Sequence, residues 1–375
     1  MIRILAVDDS ALMRRLLTEV FEADGEFELR LARSGAEALA LLAEARPDVI
    51  TLDIHMPEMD GLACLDRIML ERPCPVVMFS SLTAEGARET LEALALGAVD
   101  FVPKPDGAVS LKMDEFGPLL IEKVKAAAKA RPLHSRRLTE RIRLKTPATL
   151  ARRRAERAAA PVQPLSGVRP VSGRPAPRTG SLPYQPAVLV GASTGGPPAL
   201  DALLRPLPPN FPWPIVVAQH MPASFTGPLA ARLDRQCALT VTEVARPTPL
   251  RPGQVYIGRG DADLILSRRA GALTALPAPS DPALHWHPSV DRLVRSAAAL
   301  CAPEGLVGVL MTGMGDDGAA AMTELRQAGG RTIAEAEETA VVWGMPGELV
   351  RAGGADVVAP LEEIAARLLD LVTSP

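Results

Sequence analysis

At 375 residues the chain exceeds one ordinary domain, and two domains joined by a linker follow from its length. Its residues are 47% hydrophobic but only 3% aromatic, so its cores must be packed with Leu, Val, Ile and Ala, while a net charge of -3 argues neither for nor against nucleic acid. Four cysteines (Cys64, Cys74, Cys237, Cys301) lack metal-type spacing and read as reduced thiols, and the N-terminus meets Asp8 and Asp9 too early for a signal peptide. No apolar run reaches the length of a membrane span, so the expectation is a cytoplasmic protein that is not membrane-embedded.

From residue 1 to about 125, apolar runs at Arg3 to Val7, Val49 to Leu52, Val76 to Phe79 and Phe101 to Val102 read as buried strands. Helix-like stretches separate them, among them Ser10 to Ala23, Ser34 to Glu44 and Thr83 to Leu96. This alternation predicts an α/β unit with a parallel sheet covered on both faces. Residues 126–186 break the pattern. Between Ala126 and Leu182 stand 14 Lys and Arg against two Glu, a local +12 that leaves -15 for the rest. Prolines at 161, 164, 170, 175, 177, 183 and 186 then predict an extended or fluctuating linker, with a short basic helix over 138–158 as an alternative for its first part.

A second alternation occupies 187–375. Strands are expected over Val188 to Val190, Ile215 to Ala218, Val255 to Ile257, Leu264 to Leu266, Leu306 to Met311 and Thr332 to Ala334. Helices are expected over Pro197 to Leu204, Ser289 to Leu300, Ala319 to Ala328 and Leu361 to Val372. The prediction is a second parallel α/β sheet, larger than the first.

In the first unit Asp8, Asp9 and Asp53 fall at strand ends that face one crevice in an open parallel sheet. Three converging carboxylates call for a cation, and Mg²⁺ suits an all-oxygen site. Lys104 adds a fixed positive charge and Ser80 a hydroxyl. Together they suit phosphoryl transfer to a carboxylate. Leu52-Asp53-Ile54-His55-Met56-Pro57 through Asp60-Gly61, with Asp8-Asp9, Ser80 and Lys104-Pro105, resembles a response-regulator receiver domain of flavodoxin-like fold. The resemblance implies that Asp53 is the phosphoacceptor for a histidine kinase and that Asp8 and Asp9 join it in holding Mg²⁺. It further implies that Ser80 and Lys104 read the phosphoryl group and that Phe101 is the aromatic switch.

In the second unit Ser193 lies in the turn Gly191-Ala-Ser-Thr-Gly-Gly196 between an expected strand and helix. Its glycines permit a tight bend, and the helix N-terminus offers N–H groups to a developing oxyanion. A dinucleotide loop has the same outline, but G-x-x-x-G-G is not G-x-G-x-x-G, and no Lys makes it a Walker loop. His220 follows the strand Ile215 to Ala218, and Asp316 and Asp317 follow Leu306 to Met311. A serine, a histidine and one of two aspartates at strand ends suit nucleophilic hydrolysis, in an order and without an elbow motif that disfavour a general lipase or esterase. His285 and His287 could bind metal as a pair, but without Cys or Asp nearby in sequence they read as surface or helix-entry residues.

Gly191-Ala-Ser-Thr-Gly-Gly196, Ala218-Gln-His-Met-Pro222, Pro288-Ser-Val-Asp291, Thr312-Gly-Met-Gly-Asp-Asp-Gly318 and Trp343-Gly-Met-Pro346 resemble the chemotaxis receptor glutamate methylesterases. The resemblance implies a doubly wound parallel catalytic domain with Ser193 as nucleophile, His220 as base and Asp317 as orienting acid. Thr194, Gly195 and Met314 then line the oxyanion pocket, and no cofactor serves the esterase chemistry. It also implies methylated chemoreceptors as substrate, with glutamine deamidation as a further activity, and an unphosphorylated receiver packed over the Ser193 cleft. Against the family pattern the linker is long and basic, Trp343 stands where Phe is commoner, and Gly347 where Arg is usual. The competing reading is a response regulator without esterase activity, acting as a scaffold or binding DNA through the basic linker. No helix-turn-helix pattern supports specific binding to nucleic acid.

Overall fold

The computed structural model describes residues 1–105, 113–130 and 185–373. Most of the expected linker, and all of the basic helix considered over 138–158, lies outside the described residues. The N-terminal part alternates β1 (Ile2–Val7), α1 (Ala11–Asp24), β2 (Phe27–Ala32), α2 (Gly35–Ala45), β3 (Val49–Asp53), α3 (Gly61–Glu71), β4 (Val76–Ser80), α4 (Ala84–Leu96), β5 (Asp100–Pro103) and α5 (Met113–Ala128). The strands form a parallel sheet in the order β2-β1-β3-β4-β5. Strand order reverses between β1 and β3, so the carboxyl ends of those two strands bound the crevice where such sheets place their ligands.

β3 and β4 are buried along their whole length, which is why they read as unbroken apolar runs. β2 escaped the sequence reading because only Phe27 and Ala32 of its six residues are buried at this sheet edge. Helices α1 to α4 begin on Ser10, Ser34, Asp60 and Thr83, whose side chains each accept a hydrogen bond from the backbone N–H three residues on.

The C-terminal part runs β6 (Ala187–Ala192), α6 (Gly196–Leu204), β7 (Ile215–Gln219), α7 (Ala223–Gln236), β8 (Thr240–Val244), β9 (Thr248–Pro249), β10 (Gln254–Gly258), β11 (Ala262–Arg269), β12 (Ala272–Pro279), α8 (Val290–Ala298), β13 (Leu306–Leu310), α9 (Ala319–Gln327), β14 (Arg331–Glu335), α10 (Met345–Arg351), β15 (Val357–Ala359) and α11 (Leu361–Thr373). Seven strands form a parallel sheet in the order β15-β14-β13-β6-β7-β10-β8. The order reverses at β6, so the turn after β6 opens between those after β13 and β7.

One expected strand belongs elsewhere. Leu264 to Leu266 lies in β11, which pairs antiparallel with β12 in a separate three-stranded sheet. The cause is local: Ala270 and Gly271 both take positive φ (48° and 81°), and such a two-residue turn reverses the chain into a hairpin.

The two α/β parts pack against each other. α4 lies on α6 and α7. Phe101 of β5 stacks near Phe225 of α7, with ring centroids 4.4 Å apart. Arg232 of α7 is half-buried between the parts: it bonds Asp201 at 2.9 Å and donates to the Leu91 carbonyl of α4 at 3.3 Å. Val341 joins the buried cluster that holds Phe116, Leu120, Val124 and Ala127 of α5. Among the described residues no helix is long and apolar enough to cross a membrane.

Candidate active site

Three loops converge at the carboxyl edge of β6, β7 and β13. Ladder pairing runs into the site itself: the Ser193 N–H donates to the Thr312 carbonyl and the His220 N–H to the Ala192 carbonyl, each at 3.0 Å. Gly195 takes φ +76° as it leads into α6. Gly196 must lack a side chain, because a Cβ there would stand 1.9 Å from Gln219 Oε1. The Gln219 amide uses that close approach to donate to the Ser193 carbonyl at 2.9 Å and the His220 carbonyl at 3.1 Å.

His220 Nε2 lies 2.8 Å from Asp317 Oδ2. The Asp317 carboxylate also accepts from the Val290 N–H (2.7 Å), the Asp291 N–H (3.0 Å) and the Ser289 hydroxyl (3.0 Å) at the start of α8. Burial alone would raise its pKa, but the bond to His220, the imidazole charge and the amides of Asp291 and Val290 outweigh it and hold Asp317 below the usual carboxylate value. An ionised carboxylate only accepts, so Nε2 carries the hydrogen between them, and whenever the ring is neutral the lone pair is on Nδ1. Nδ1 is buried and has no hydrogen-bond partner among the described residues. Asp291 returns the arrangement by accepting from the Gly318 and Ala321 N–H groups at the start of α9. Asp316, which sequence alone could not separate from Asp317, is exposed.

Ser193 and His220 line one cavity of about 220 Å³. Its other walls include Trp286 and, from the N-terminal part, Phe101, Pro103, Leu119 and Lys123. Thr194 is buried, and its hydroxyl donates to the Asp100 carboxylate of β5. Met314 is half-buried in the turn that carries Asp317 and is not among the side chains lining this cavity.

Behind the serine, the Thr312 hydroxyl donates to the Thr194 carbonyl at 2.8 Å, and the Thr312 N–H to Glu335 Oε2 at 2.8 Å. Glu335 is fully buried, and burial pushes its pKa up to about 7 against the two hydrogen bonds from Thr312 and Thr339. His287, expected to lack a partner, has one from a distant strand: its Nδ1 lies 2.9 Å from the buried Asp263 of β11. His285 is exposed beside Glu122 of α5, at 3.6 Å. Among the described residues the two histidines join no group of three metal-ligating side chains. Asp263, Trp286 and Glu335 were not singled out by sequence, since each meets its partners only through tertiary contact.

In the N-terminal part Asp8 and Asp53 are buried and Asp9 is exposed, and oxygens of all three lie within 4.8 Å of one another. Lys104 Nζ stands 2.7 Å from Asp53 Oδ2 and 3.0 Å from Asp8 Oδ2. Burial raises the Asp53 pKa, with the neighbouring Asp8 charge adding to it, against the Lys104 ion pair. An all-oxygen donor set with one lysine for three carboxylates fits a hard divalent cation such as Mg²⁺. The Ser80 hydroxyl is engaged with the Gly86 carbonyl at 3.2 Å and with Thr90 of α4 rather than with Asp53. Phe101 is buried at the contact with α7.

The CheB methylesterase family model matches residues 188–368, and the response regulator receiver domain model matches residues 4–113. The protein-glutamate methylesterase/protein-glutamine glutaminase 2 of Rhodopseudomonas palustris (strain BisB18) is 54% identical over 377 residues, covering 99% of this chain and 98% of its own. A protein-glutamate methylesterase/protein-glutamine glutaminase 3 of Rhodospirillum rubrum is 52% identical over 368 residues, covering 98% and 95% respectively. Among solved structures, the Thermotoga maritima CheB methylesterase catalytic domain is 41% identical and covers 50% of this chain and 98% of its own, with a TM-score of 0.48.

Proposed function

This chain belongs to the CheB methylesterase family, and we propose that it hydrolyses glutamate γ-methyl esters on chemoreceptors, releasing methanol, under control of its receiver domain. The relatives' second named activity, as protein-glutamine glutaminase, comes with the same site. The reading assigns the receiver to residues 1–125, a basic linker to 126–186 and the methylesterase domain to 187–375. It places the protein in the cytoplasm, where chemoreceptor helices and a histidine kinase are within reach.

The supporting observation is His220, committed through Nε2 to Asp317 with Nδ1 unpartnered, beside Ser193 in one cavity. Ser193 Oγ attacks the ester carbonyl and His220 Nδ1 takes its proton. Asp317 holds the tautomer and stabilises the imidazolium. The backbone at Thr194 and Gly195, at the positive end of α6, receives the oxyanion. His220 returns the proton to the departing methanol. It then activates a water that cleaves the acyl-enzyme to glutamate. Glutamine follows the same route with ammonia leaving.

Asp53 takes the phosphoryl group, with Asp8 and Asp9 completing a Mg²⁺ site. The metal, when bound, offsets negative charge on the phosphoryl oxygens. Lys104 then turns from the carboxylates to the phosphoryl group, and Ser80 leaves Gly86 to do the same. Both changes act at the carboxyl end of β5, where Ser80 pairs with Pro103 and Lys104 follows, and β5 carries Phe101 and Pro103 in the cavity wall. Phosphorylation shifts the population away from this covered arrangement.

The test is methanol release from receptor-containing membranes bearing labelled methyl groups. The full chain is compared with and without a small phosphodonor and Mg²⁺, and against Ser193→Ala. Release that rises with phosphodonor and is absent in the variant is expected. Release retained by Ser193→Ala would overturn the assignment of the site.

A further inference from the structure

Trp286 has no place in the three motifs that carry the site, yet it lies against His220 and against the turn that carries Asp317. Its indole stacks on the His220 imidazole, with centroids 5.6 Å apart and planes 9° from parallel. Its Nε1 lies close over Gly315, in the turn that carries Asp317. The indole stands between two cavities. One holds Ser193 and His220; the other, of about 320 Å³, is lined by Asp316, Asp317 and Glu348 among others.

The loop presenting Trp286 is held firmly. Buried Asp263 accepts from His287 Nδ1 (2.9 Å), the Ser289 N–H (2.8 Å), Arg292 (2.6 Å) and the Asp281 N–H (3.2 Å), gripping the loop on both sides of the tryptophan. His285 meets the outer edge of the indole at 4.6 Å in a T-shaped contact. An aromatic fixed this way can restrain a neighbouring ring in orientation.

We propose that Trp286 is a positioning residue for His220. Its face fixes the imidazole plane so that Nε2 stays on Asp317 while Nδ1 stays turned to the serine. It also favours the imidazolium, since an aromatic face attracts a cation within about 6 Å of its centroid. The two effects act in the same direction: both lower the barrier to proton transfer from Ser193, and neither requires contact with the receptor segment. The inference rests on the Ser193–His220–Asp317 assignment above.

The experiment uses the full chain, activated by phosphodonor and Mg²⁺, on methyl-labelled receptor membranes over a range of receptor concentrations. Trp286→Phe keeps an aromatic face; Trp286→Leu and Trp286→Met keep apolar volume without one. Expected is a kcat about tenfold lower in Leu and Met, about 1.4 kcal/mol of barrier, with KM within about twofold and Phe within about threefold of the parent. Thermal unfolding and phosphoryl uptake at Asp53 report on folding, and a variant that fails them is replaced by the other non-aromatic one. An unchanged kcat, a change confined to KM, or a Phe variant as slow as Leu would each overturn the proposal. Ser193→Ala is run alongside: activity there sinks the underlying site assignment, whereas its inactivity with a fully active Leu variant sinks only the role of Trp286.

Discussion

The Thr194 hydroxyl donates a hydrogen bond to the Asp100 carboxylate, joining the residue after Ser193, the proposed nucleophile, to the residue before Phe101, the proposed switch. Both side chains are buried, and Asp100 is held from its other oxygen by Lys123 at 2.8 Å. A single polar contact thus couples β5 of the receiver to the Ser193 turn. A charged hydrogen bond of this kind contributes about 1.5–3 kcal/mol.

Breaking that bond should loosen the cover. Asp100→Ala is expected to raise methanol release by the unphosphorylated protein about three- to tenfold, with a correspondingly smaller stimulation by phosphodonor. Initial rates without phosphodonor are the measurement. Basal release equal to that of the parent would show that the contact does not restrain access.

Asp53→Asn removes the phosphoacceptor while leaving an acceptor oxygen for Lys104. Basal release should stay within about twofold, and stimulation by phosphodonor should vanish. Chelation of Mg²⁺ should abolish stimulation of the parent without touching its basal rate. Full stimulation of the Asn variant would sink the assignment of Asp53.

Asp317→Asn should cost both chemistry and fold. The amide cannot accept from His220 and three donors of α8 together, so release should drop about 10³- to 10⁴-fold and stability by about 1–3 kcal/mol. Because the folded pKa of Asp317 is depressed, the stability it contributes is present above its unfolded value and is lost as pH falls through the folded one. Ser193→Ala should be equally inactive but unfold at the parent temperature. Chemical denaturation of the two variants at neutral pH separates them.

Glu335 sets an opposite trend. Its folded pKa of about 7 lies above the ordinary 4.5, so the folded state prefers the protonated acid. Stability from this group therefore falls as pH rises from 4.5 to 7, and the deficit is complete above 7. Glu335→Gln can accept from the Thr312 N–H and donate to Thr339, whose hydroxyl also reaches the Ala336 carbonyl. The variant should be more stable than the parent at pH 8 by on the order of 2 kcal/mol and equal to it near pH 4.5. Thermal unfolding at the two pH values checks this; an equal offset at both would contradict it.

What could be read from sequence was whatever depends on neighbours along the chain. β3, β4, β6, β7 and β13 are buried on both faces and write themselves as apolar runs, so the turns after them, with Asp53, Ser193, His220 and Asp317, could be located. α7 is absent from the expected helices: Ser224, Thr226, Gly227 and Pro228 are weak helix formers, and tertiary packing of Phe225, Leu229 and Leu233 makes the helix. The contacts Asp100–Thr194, Trp286–His220 and Asp263–His287 join residues from separate elements. No local pattern marks them, because each carboxylate or ring is ordinary until its partner arrives.

Ser193 and His220 stand one residue past paired positions of neighbouring strands, Ala192 opposite Gln219, and their own N–H groups continue the ladder. A sheet ladder moves in whole residues, each step turning side chains to the opposite face. Register therefore fixes which backbone positions carry Ser193 and His220, and it changes only in whole steps, each of which would turn one of the two side chains away from the site. Under the proposed control, graded output comes from the fraction of molecules that are open rather than from a change of register within them.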